Sequence, residues 1–164
     1  MFISNSSTVI LLAKISLLRK FLDIYDEIML PTRVYEEIMI KKDQLDALFI
    51  QKEIERERIV VRDVKNNEME QVMKQFRLDV GEASAYFLFK MMNAKAILTD
   101  DGQLIKLCKV FEIPFITAMA VVVRMFEKGK LKKDAACKYL EKLNGYGRYA
   151  DEIYSYYRAM VGCP

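Results

Sequence analysis

Short runs of β-prone residues alternate with longer helical patterns through the first 117 residues of this chain. Such alternation is typical of crossover units around a parallel sheet, because a helix must return the chain before the next parallel strand can begin. The predicted strands cover residues 2–4, 27–30, 59–61, 96–99 and 114–117. We therefore expect a three-layer α/β/α fold around a central parallel sheet of four to five strands.

Helical patterns fill the intervals between the predicted strands. Residues 8–13 and 17–23 predict a helical hairpin, and Thr32 is expected to cap the helix that follows the second strand. Further helices are predicted at residues 68–76 and 104–110.

Two other segments carry more specific helical signals. Residues 41–58 predict an amphipathic helix whose polar side faces water; its apolar positions are Leu45, Leu48, Phe49 and Ile54. Asp79 and Glu82 have the spacing of a capping box, and the strongly apolar run after them predicts a buried helix.

The length and composition indicate a single domain. A chain of 164 residues that is 52% hydrophobic can fill one core, so we expect one unit over residues 1–164, with residues 131–164 as a C-terminal helical extension. The sequence has no long uncharged apolar run and no signal-peptide pattern at its start. These features favour a cytoplasmic protein without membrane contact.

Two residue types limit the chemistry. Three scattered cysteines, Cys108, Cys137 and Cys163, indicate neither a disulfide framework nor a thiolate zinc site, so we expect packed thiols. The chain contains no histidine, which excludes Ser-His-Asp and Cys-His nucleophile pairs, histidine zinc sites and an imidazole base. A net charge of +3 permits a polyanionic substrate but does not by itself indicate one.

Oxygen-bearing side chains follow several predicted strands. Asn5 follows the first strand, Glu36 and Glu37 lie in the helix after the second, and the pair at residues 100–101 follows the fourth. The carboxyl ends of parallel strands share one edge of a sheet, where ligands usually bind, and Glu82 reaches that edge if its helix begins there. Converging oxygen donors without histidine suit Mg²⁺ or Mn²⁺, which serve phosphodiester hydrolysis.

Each of these side chains also has a structural alternative. Glu82 can serve only as the capping-box partner, and helical spacing cannot choose between Glu36 and Glu37, either of which can be solvated. Asn5 and the acidic pair can be ordinary turn and cap residues.

The order of these segments resembles the PIN domain family, especially the toxin-like ribonucleases of prokaryotic toxin–antitoxin pairs. The stretches that carry it are ISNSS at residues 3–7 with VILLAKI at 9–15, LPTRVYEEI at 30–38, GEASA at 81–85, and ILTDD at 97–101 with Leu104. The segment FEIPFIT at 111–117 is similar to the family's final strand. Together the stretches cover about residues 2–131.

The resemblance implies a set of functional residues. It assigns Asn5, Glu37, Glu82 and Asp101 to a Mg²⁺ or Mn²⁺ site; Glu37, Glu82 and Asp101 are also the expected catalytic residues, with Asp100 as a second nearby carboxylate. The choice of Asp101 over Asp100 depends on a one-residue register. Position 5 departs from the nuclease pattern, because asparagine stands where that pattern has aspartate.

The expected activity is metal-assisted hydrolysis of RNA, and the family branch implies a toxin with an antitoxin partner. The alternative is a catalytically impaired PIN-like protein that binds nucleic acid or serves as a regulatory scaffold. A response-regulator receiver is disfavoured, because receivers place their acidic pair after the first strand.

Substrate and partner surfaces are less specific. The basic candidates for phosphate contacts are Lys14, Arg19, Lys20, Lys128, Lys130, Lys132 and Lys133; a solvated basic face is the alternative. Tyr149, Ile153, Tyr156 and Met160 recur at helical spacing, which favours a packed face or a homodimer seam over base stacking.

Overall fold

The computed structural model describes residues 1–25 and 27–164, which form five strands and ten helices. They divide into two compact units, residues 1–116 and 117–164. The first unit contains β1 (Phe2–Ser4), α1 (Ser6–Lys14), α2 (Leu18–Ile24), β2 (Ile28–Pro31), α3 (Thr32–Met39), α4 (Leu45–Glu55), β3 (Ile59–Arg62), α5 (Met69–Phe76), α6 (Val80–Met92), β4 (Ile97–Leu98), α7 (Gly102–Val110) and β5 (Phe115–Ile116). The second contains α8 (Ala118–Glu127), α9 (Lys133–Tyr146) and α10 (Asp151–Val161). The expectation that all 164 residues form one domain stays a prediction.

The sheet is entirely parallel, with strand order β3-β2-β1-β4-β5. The central strand β1 pairs with β2 through Phe2 opposite Ile28, and with β4 through Ile3 opposite Ile97. The chain builds outward from β1 to β3 and then crosses back to β4, so the order switches between β1 and β4. The predicted parallel sheet is confirmed, and each strand lies within one or two residues of its predicted position.

Helices cover both faces of the sheet. Ile3 joins a core cluster with Leu88 of α6 and Leu104 of α7, whereas the adjacent Phe2 packs its ring 5.9 Å from that of Phe21 in α2. Neighbouring residues of a strand point to opposite faces, so α6 and α7 lie on one side and α2 on the other. Helices α1 and α4 pack on each other, as do α5 and α6, which gives the expected three layers.

Helices α3 and α6 begin at the carboxyl edge of the sheet, as do α1 and α7. Helix α3 starts directly after β2, and α6 runs back to reach β4, so its N-terminus lies at the same edge as the strand ends. The predicted capping box of α6 is confirmed, since Asp79 accepts from the Glu82 backbone and Glu82 accepts from the Asp79 backbone. The expectation for Thr32 is wrong: Pro31 is the N-cap of α3 and makes no side-chain cap bond, while Thr32 is the first helical residue.

Helix α4 differs from its predicted orientation. It is shorter than expected, and Leu45, Leu48 and Phe49 are exposed, whereas its buried residues include Ile50 and Glu53. The Glu53 carboxylate lies 2.9 Å from a guanidinium nitrogen of Arg56 and 3.4 Å from those of Arg19 and Arg58. These ion pairs offset the desolvation of the carboxylate, so α4 packs with a charged residue inward.

The cysteine expectation is wrong for two of the three residues. Cys137 in α9 and Cys163, just beyond α10, form a disulfide with a Cα–Cα distance of 5.7 Å. Helices α9 and α10 contact each other, and this packing joins residues that lie 26 positions apart in sequence. Cys108 is buried and free, as expected.

The C-terminal residues that recur at helical spacing are largely exposed to solvent. Ile153, Tyr156 and Met160 are exposed along α10, whereas Tyr149 precedes the helix. Among residues 1–25 and 27–164, no helix combines the length and apolar character needed to cross a membrane.

Candidate active site

Asn5 ends β1 and caps α1 at the carboxyl edge of the sheet. Its backbone N–H donates to the Leu98 carbonyl of β4 at 3.1 Å. Its side-chain Oδ1 accepts from the backbone N–H of Ser7 at 3.2 Å and from the Ser7 hydroxyl at 2.6 Å. The side chain is buried, so the amide is held between β1 and β4, where the strand order switches.

Asp100 is joined to the start of α1. Its backbone N–H donates to the Ser7 hydroxyl oxygen at 3.0 Å, and its carboxylate accepts from the Thr8 hydroxyl at 2.5 Å. Ser7 therefore links Asn5 with Asp100, across the two strands that precede them.

Asp101 is the N-cap of α7. Its Oδ1 accepts from the backbone N–H groups of Gln103 and Leu104, each at 2.8 Å. Its own backbone N–H donates to the Thr99 hydroxyl oxygen at 3.1 Å. The two residues of the acidic pair thus face different partners, Asp100 towards α1 and Asp101 towards α6.

Glu82 and Asp101 come together through their side chains. Glu82 uses Oε2 to accept the Asp79 backbone N–H at 2.9 Å, and its carboxyl group lies close enough to that of Asp101 for the two negative charges to repel each other. Burial and the negative charges of Asp101 and Asp79 raise the pKa of Glu82 to about 7, although the cap bond from Asp79 opposes the shift. Two carboxyl groups that repel each other mark a position that a positive charge would stabilise.

Glu37 approaches the first turn of α6 from α3. Its Oε1 accepts from the Ser6 hydroxyl at 3.0 Å, and a Cβ placed on Gly81 would lie 3.2 Å from its Oε2 and 3.3 Å from Oδ1 of Asp79. Burial and the charge of Asp79 raise the pKa of Glu37, against the effect of the Ser6 bond. Glu36 instead forms an exposed 3.0 Å ion pair with Arg33, so Glu37 is the glutamate that faces the site.

These contacts gather five carboxylates, here called the acidic cluster: Glu37, Asp79, Glu82, Asp100 and Asp101. Sequence reasoning gave Asp79 only as a cap and did not include the hydroxyl groups of residues 6–8. Two signals in the sequence pointed to them. A glycine between two acidic residues indicates a close approach of another group, and a run of hydroxyl residues after a strand offers donors at its carboxyl end.

A family model described as a PIN domain matches residues 1–160 of the sequence. The chain belongs to the PIN domain family. Members are generally nucleases that act on nucleic acid and typically depend on divalent metal ions, so this PIN domain has a nuclease-type fold. No curated protein matches the chain.

The acidic cluster of this PIN domain is not a preformed ion site. Among the residues that the structure describes, no three Asp, Glu, Cys or His side chains are placed to hold one metal ion. The sequence predicted that Glu37, Glu82 and Asp101 converge. In the structure Glu82 lies near Asp101, and Glu37 lies beside Asp79. Like charges repel, and each carboxylate turns to a hydrogen-bond donor instead.

The donor set nonetheless fits a hard divalent cation. It consists of carboxylate oxygens and one amide oxygen, the ligand types that Mg²⁺ and Mn²⁺ prefer. A cation between Glu82 and Asp101 would offset the repulsion between their carboxyl groups. Asn5 is the weak member, because its Oδ1 already accepts two hydrogen bonds from Ser7 and carries no charge.

The basic candidates form one group in each unit. Arg19 is paired with Glu53 beside α4, and Lys14 and Lys20 are exposed at or beyond the end of α1 that lies away from Asn5. The lysines of the second unit, Lys128, Lys130, Lys132 and Lys133, are exposed around the turn between α8 and α9.

Proposed function

We propose that this PIN domain is a divalent-metal-dependent endoribonuclease that hydrolyses RNA phosphodiesters. The supporting observation is the acidic cluster, which three separate chain segments bring to the carboxyl edge of one parallel sheet. Ligands of open parallel sheets bind at that edge, next to the point where the strand order switches. Asn5 and Asp100 follow the two strands that flank this point.

Glu37, Glu82 and Asp101 would hold the cation, with the amide oxygen of Asn5 as a neutral ligand and Asp100 as a neighbouring carboxylate. When bound, a Mg²⁺ or Mn²⁺ ion supplies an acidified water nucleophile and offsets charge on the phosphoryl oxygens.

The chain's own hydrogen bonds orient these groups before substrate arrives. Asp101 is held by two N–H groups of α7, Glu82 by one at the start of α6, and Glu37 by Ser6. Side chains fixed in this way lose little freedom on binding, so more of the binding energy is available in the transition state. The N-termini of α6 and α7 also point partial positive charge at this edge, which favours a phosphate.

The matched pair Glu37→Gln and Glu36→Gln tests this function. Both residues lie in α3, but only Glu37 contacts the site, whereas Glu36 pairs with Arg33. We expect Mn²⁺-dependent cleavage of a single-stranded RNA to fall about a hundredfold in Glu37→Gln and in Glu82→Gln, and to stay unchanged in Glu36→Gln. Cleavage that continues in excess EDTA, or equal losses in both α3 variants, would contradict the proposal.

One observation favours a second candidate function. Asn5 gives the site one negative charge fewer than an aspartate would, and its oxygen is engaged by Ser7. A protein that binds RNA at this edge without cleaving it is consistent with that arrangement. Binding of RNA with no metal-dependent cleavage at any Mn²⁺ concentration would favour this scaffold function.

The cellular role is proposed from the sequence resemblance. We propose that the protein is cytoplasmic and is the toxin of a toxin–antitoxin pair. A small neighbouring gene that encodes a DNA-binding antitoxin would support this role. We also propose that the protein forms a homodimer through the exposed face of α10 that carries Ile153, Tyr156 and Met160. Sedimentation that compares the oligomeric state of the wild type with that of Tyr156→Ser tests this dimer.

A further inference from the structure

A polar cleft opens between the end of α5 and the length of α7. Its volume is about 570 Å³. It is lined by Gln75, Phe76, Arg77, Gln103, Lys106 and Val110. Phe76 is buried and packs its ring 5.5 Å from that of Phe111, so the base of the cleft is fixed while its two cationic side chains project into solvent.

Like Arg62, the two cations of this cleft form no ion pair among the described residues, whereas the other arginines of the first unit do. Arg19, Arg33, Arg56 and Arg58 are each paired with a carboxylate. Within residues 1–25 and 27–164, neither Arg77 nor Lys106 forms an ion pair. Their charge is therefore available to an anion from outside the chain.

The cleft adjoins the acidic cluster on both of its walls. Arg77 stands two residues before Asp79, and Gln103 stands two residues after Asp101. The backbone N–H of Gln103 donates to the Asp101 carboxylate. Cα atoms two positions apart are at most about 7 Å from each other. The cleft residues Arg77 and Gln103 therefore lie close to the acidic residues Asp79 and Asp101.

Charge gives the cleft a specific purpose. The five carboxylates of the acidic cluster repel a polyanion, and nearby cations must compensate for it to bind. Arginine and lysine are the usual phosphate contacts, while glutamine can hydrogen-bond sugar or base groups. The cleft offers two of each kind.

We propose that the cleft between α5 and α7 is a substrate subsite, in which Arg77 and Lys106 bind a phosphate of single-stranded RNA adjacent to the one at the acidic cluster. Gln75 and Gln103 contact the attached nucleotide. The inference rests on the proposed ribonuclease function and adds where the RNA strand lies beside the site.

RNA binding in EDTA tests the subsite, because no cleavage occurs and no metal contributes. The variant is Arg77→Gly with Lys106→Ala. Arg77 has a left-handed backbone with φ of 55°, a conformation that glycine adopts readily, so the fold should survive and thermal melting verifies this. We expect the Kd for a fluorescent single-stranded RNA to rise about tenfold. The dependence of log Kd on log salt should weaken by about 0.7, since the subsite neutralises one phosphate and each neutralised phosphate of a single strand contributes about 0.7.

The matched control is Lys109→Ala, a lysine three residues further along α7 that does not line the cleft. Its Kd and salt dependence should equal those of the wild type. The subsite is overturned if the wild type does not bind the RNA, if the double variant binds as the wild type does, or if Lys109→Ala binds as weakly as the double variant. Unimpaired cleavage by Glu82→Gln would overturn the nuclease function instead, and the binding comparison would still stand.

Discussion

Asn5 is the residue at which one atom changes the charge of the site. In Asn5→Asp the new carboxylate keeps both hydrogen bonds from Ser7, and the side-chain volume barely changes. Without metal it adds a fifth negative neighbour for Asp100 and the other acids, so we expect a loss on the order of 2 kcal/mol of stability. With Mn²⁺ the added charge should strengthen metal binding on the order of tenfold.

Thermal melts with and without Mn²⁺, together with a calorimetric metal titration, measure both effects. Ser7 variants are unsuitable controls because they disturb Asp100 as well. If neither the metal-free melting temperature nor the metal affinity changes, Asn5 must be removed from the site.

Gly81 is the second position where a single atom is decisive. A Cβ there would lie 3.2 Å from the carboxylate of Glu37, closer than ordinary contact, and the flexible side chain would move away. Alanine also favours the helix by about 1 kcal/mol. For Gly81→Ala we therefore expect an unfolding free energy within about 1 kcal/mol of the wild type, but RNA cleavage reduced about tenfold because Glu37 is displaced.

Gly102→Ala is the control, since a Cβ at Gly102 in the first turn of α7 meets nothing within 4 Å. It should retain full cleavage in the same assay. Equal activity in Gly81→Ala and the wild type would show that the position of Glu37 does not matter for cleavage.

At the residue scale, the sequence carried the candidates but not their partners. Helical spacing could not separate Glu36 from Glu37, because both flank the same apolar face of α3. The structure separates them through Ser6, which lies 31 positions away from Glu37, and no local pattern encodes that distance. Asp79 and Glu82 show the opposite case, since their bonds join residues three apart and the capping box was predictable.

At the scale of elements, α4 departs most clearly from the orientation that its sequence pattern predicts. Leu48 is 46% exposed and Ile50 is fully buried, although both are aliphatic and two residues apart. We expect Ile50→Ala to lower the unfolding free energy by about 2–5 kcal/mol and Leu48→Ala to change it by about 0.5 kcal/mol or less. Urea denaturation of the two variants gives the comparison, and a larger loss in Leu48→Ala would show that α4 is turned the other way.

The same helix shows why some elements are predictable and others are not. The strands were located closely because buried parallel strands are continuous apolar runs between turn residues. The orientation of α4 depends on Glu53, whose burial is stabilised by arginines from α2, from beyond α4 and from the start of β3. Hydrophobic periodicity treats glutamate as a surface residue, so it predicts the wrong buried face for this helix.

At the scale of the whole molecule, the sequence predicted the fold class but not the covalent link near its end. The Cys137–Cys163 disulfide closes a 26-residue separation, which the chain-entropy argument values at about 3.5 kcal/mol. Disulfides are rare in cytosolic proteins. The disulfide therefore argues against the predicted cytoplasmic location. The redox state of the purified protein bears on both the bond and the location.

The pairing of β1 with β4 also sets when the site can exist during synthesis. Ile3 pairs with Ile97, and Asn5 donates to the carbonyl of Leu98, so the first segment of the site waits for the last. At about 5–20 residues per second, a ribosome needs roughly 5–20 s to add the intervening part of the chain. Throughout that interval a nascent chain lacks Asp100 and Asp101. Under the proposed ribonuclease function, the messenger RNA from which the chain is being translated would therefore not be cleaved by it until synthesis has passed residue 101.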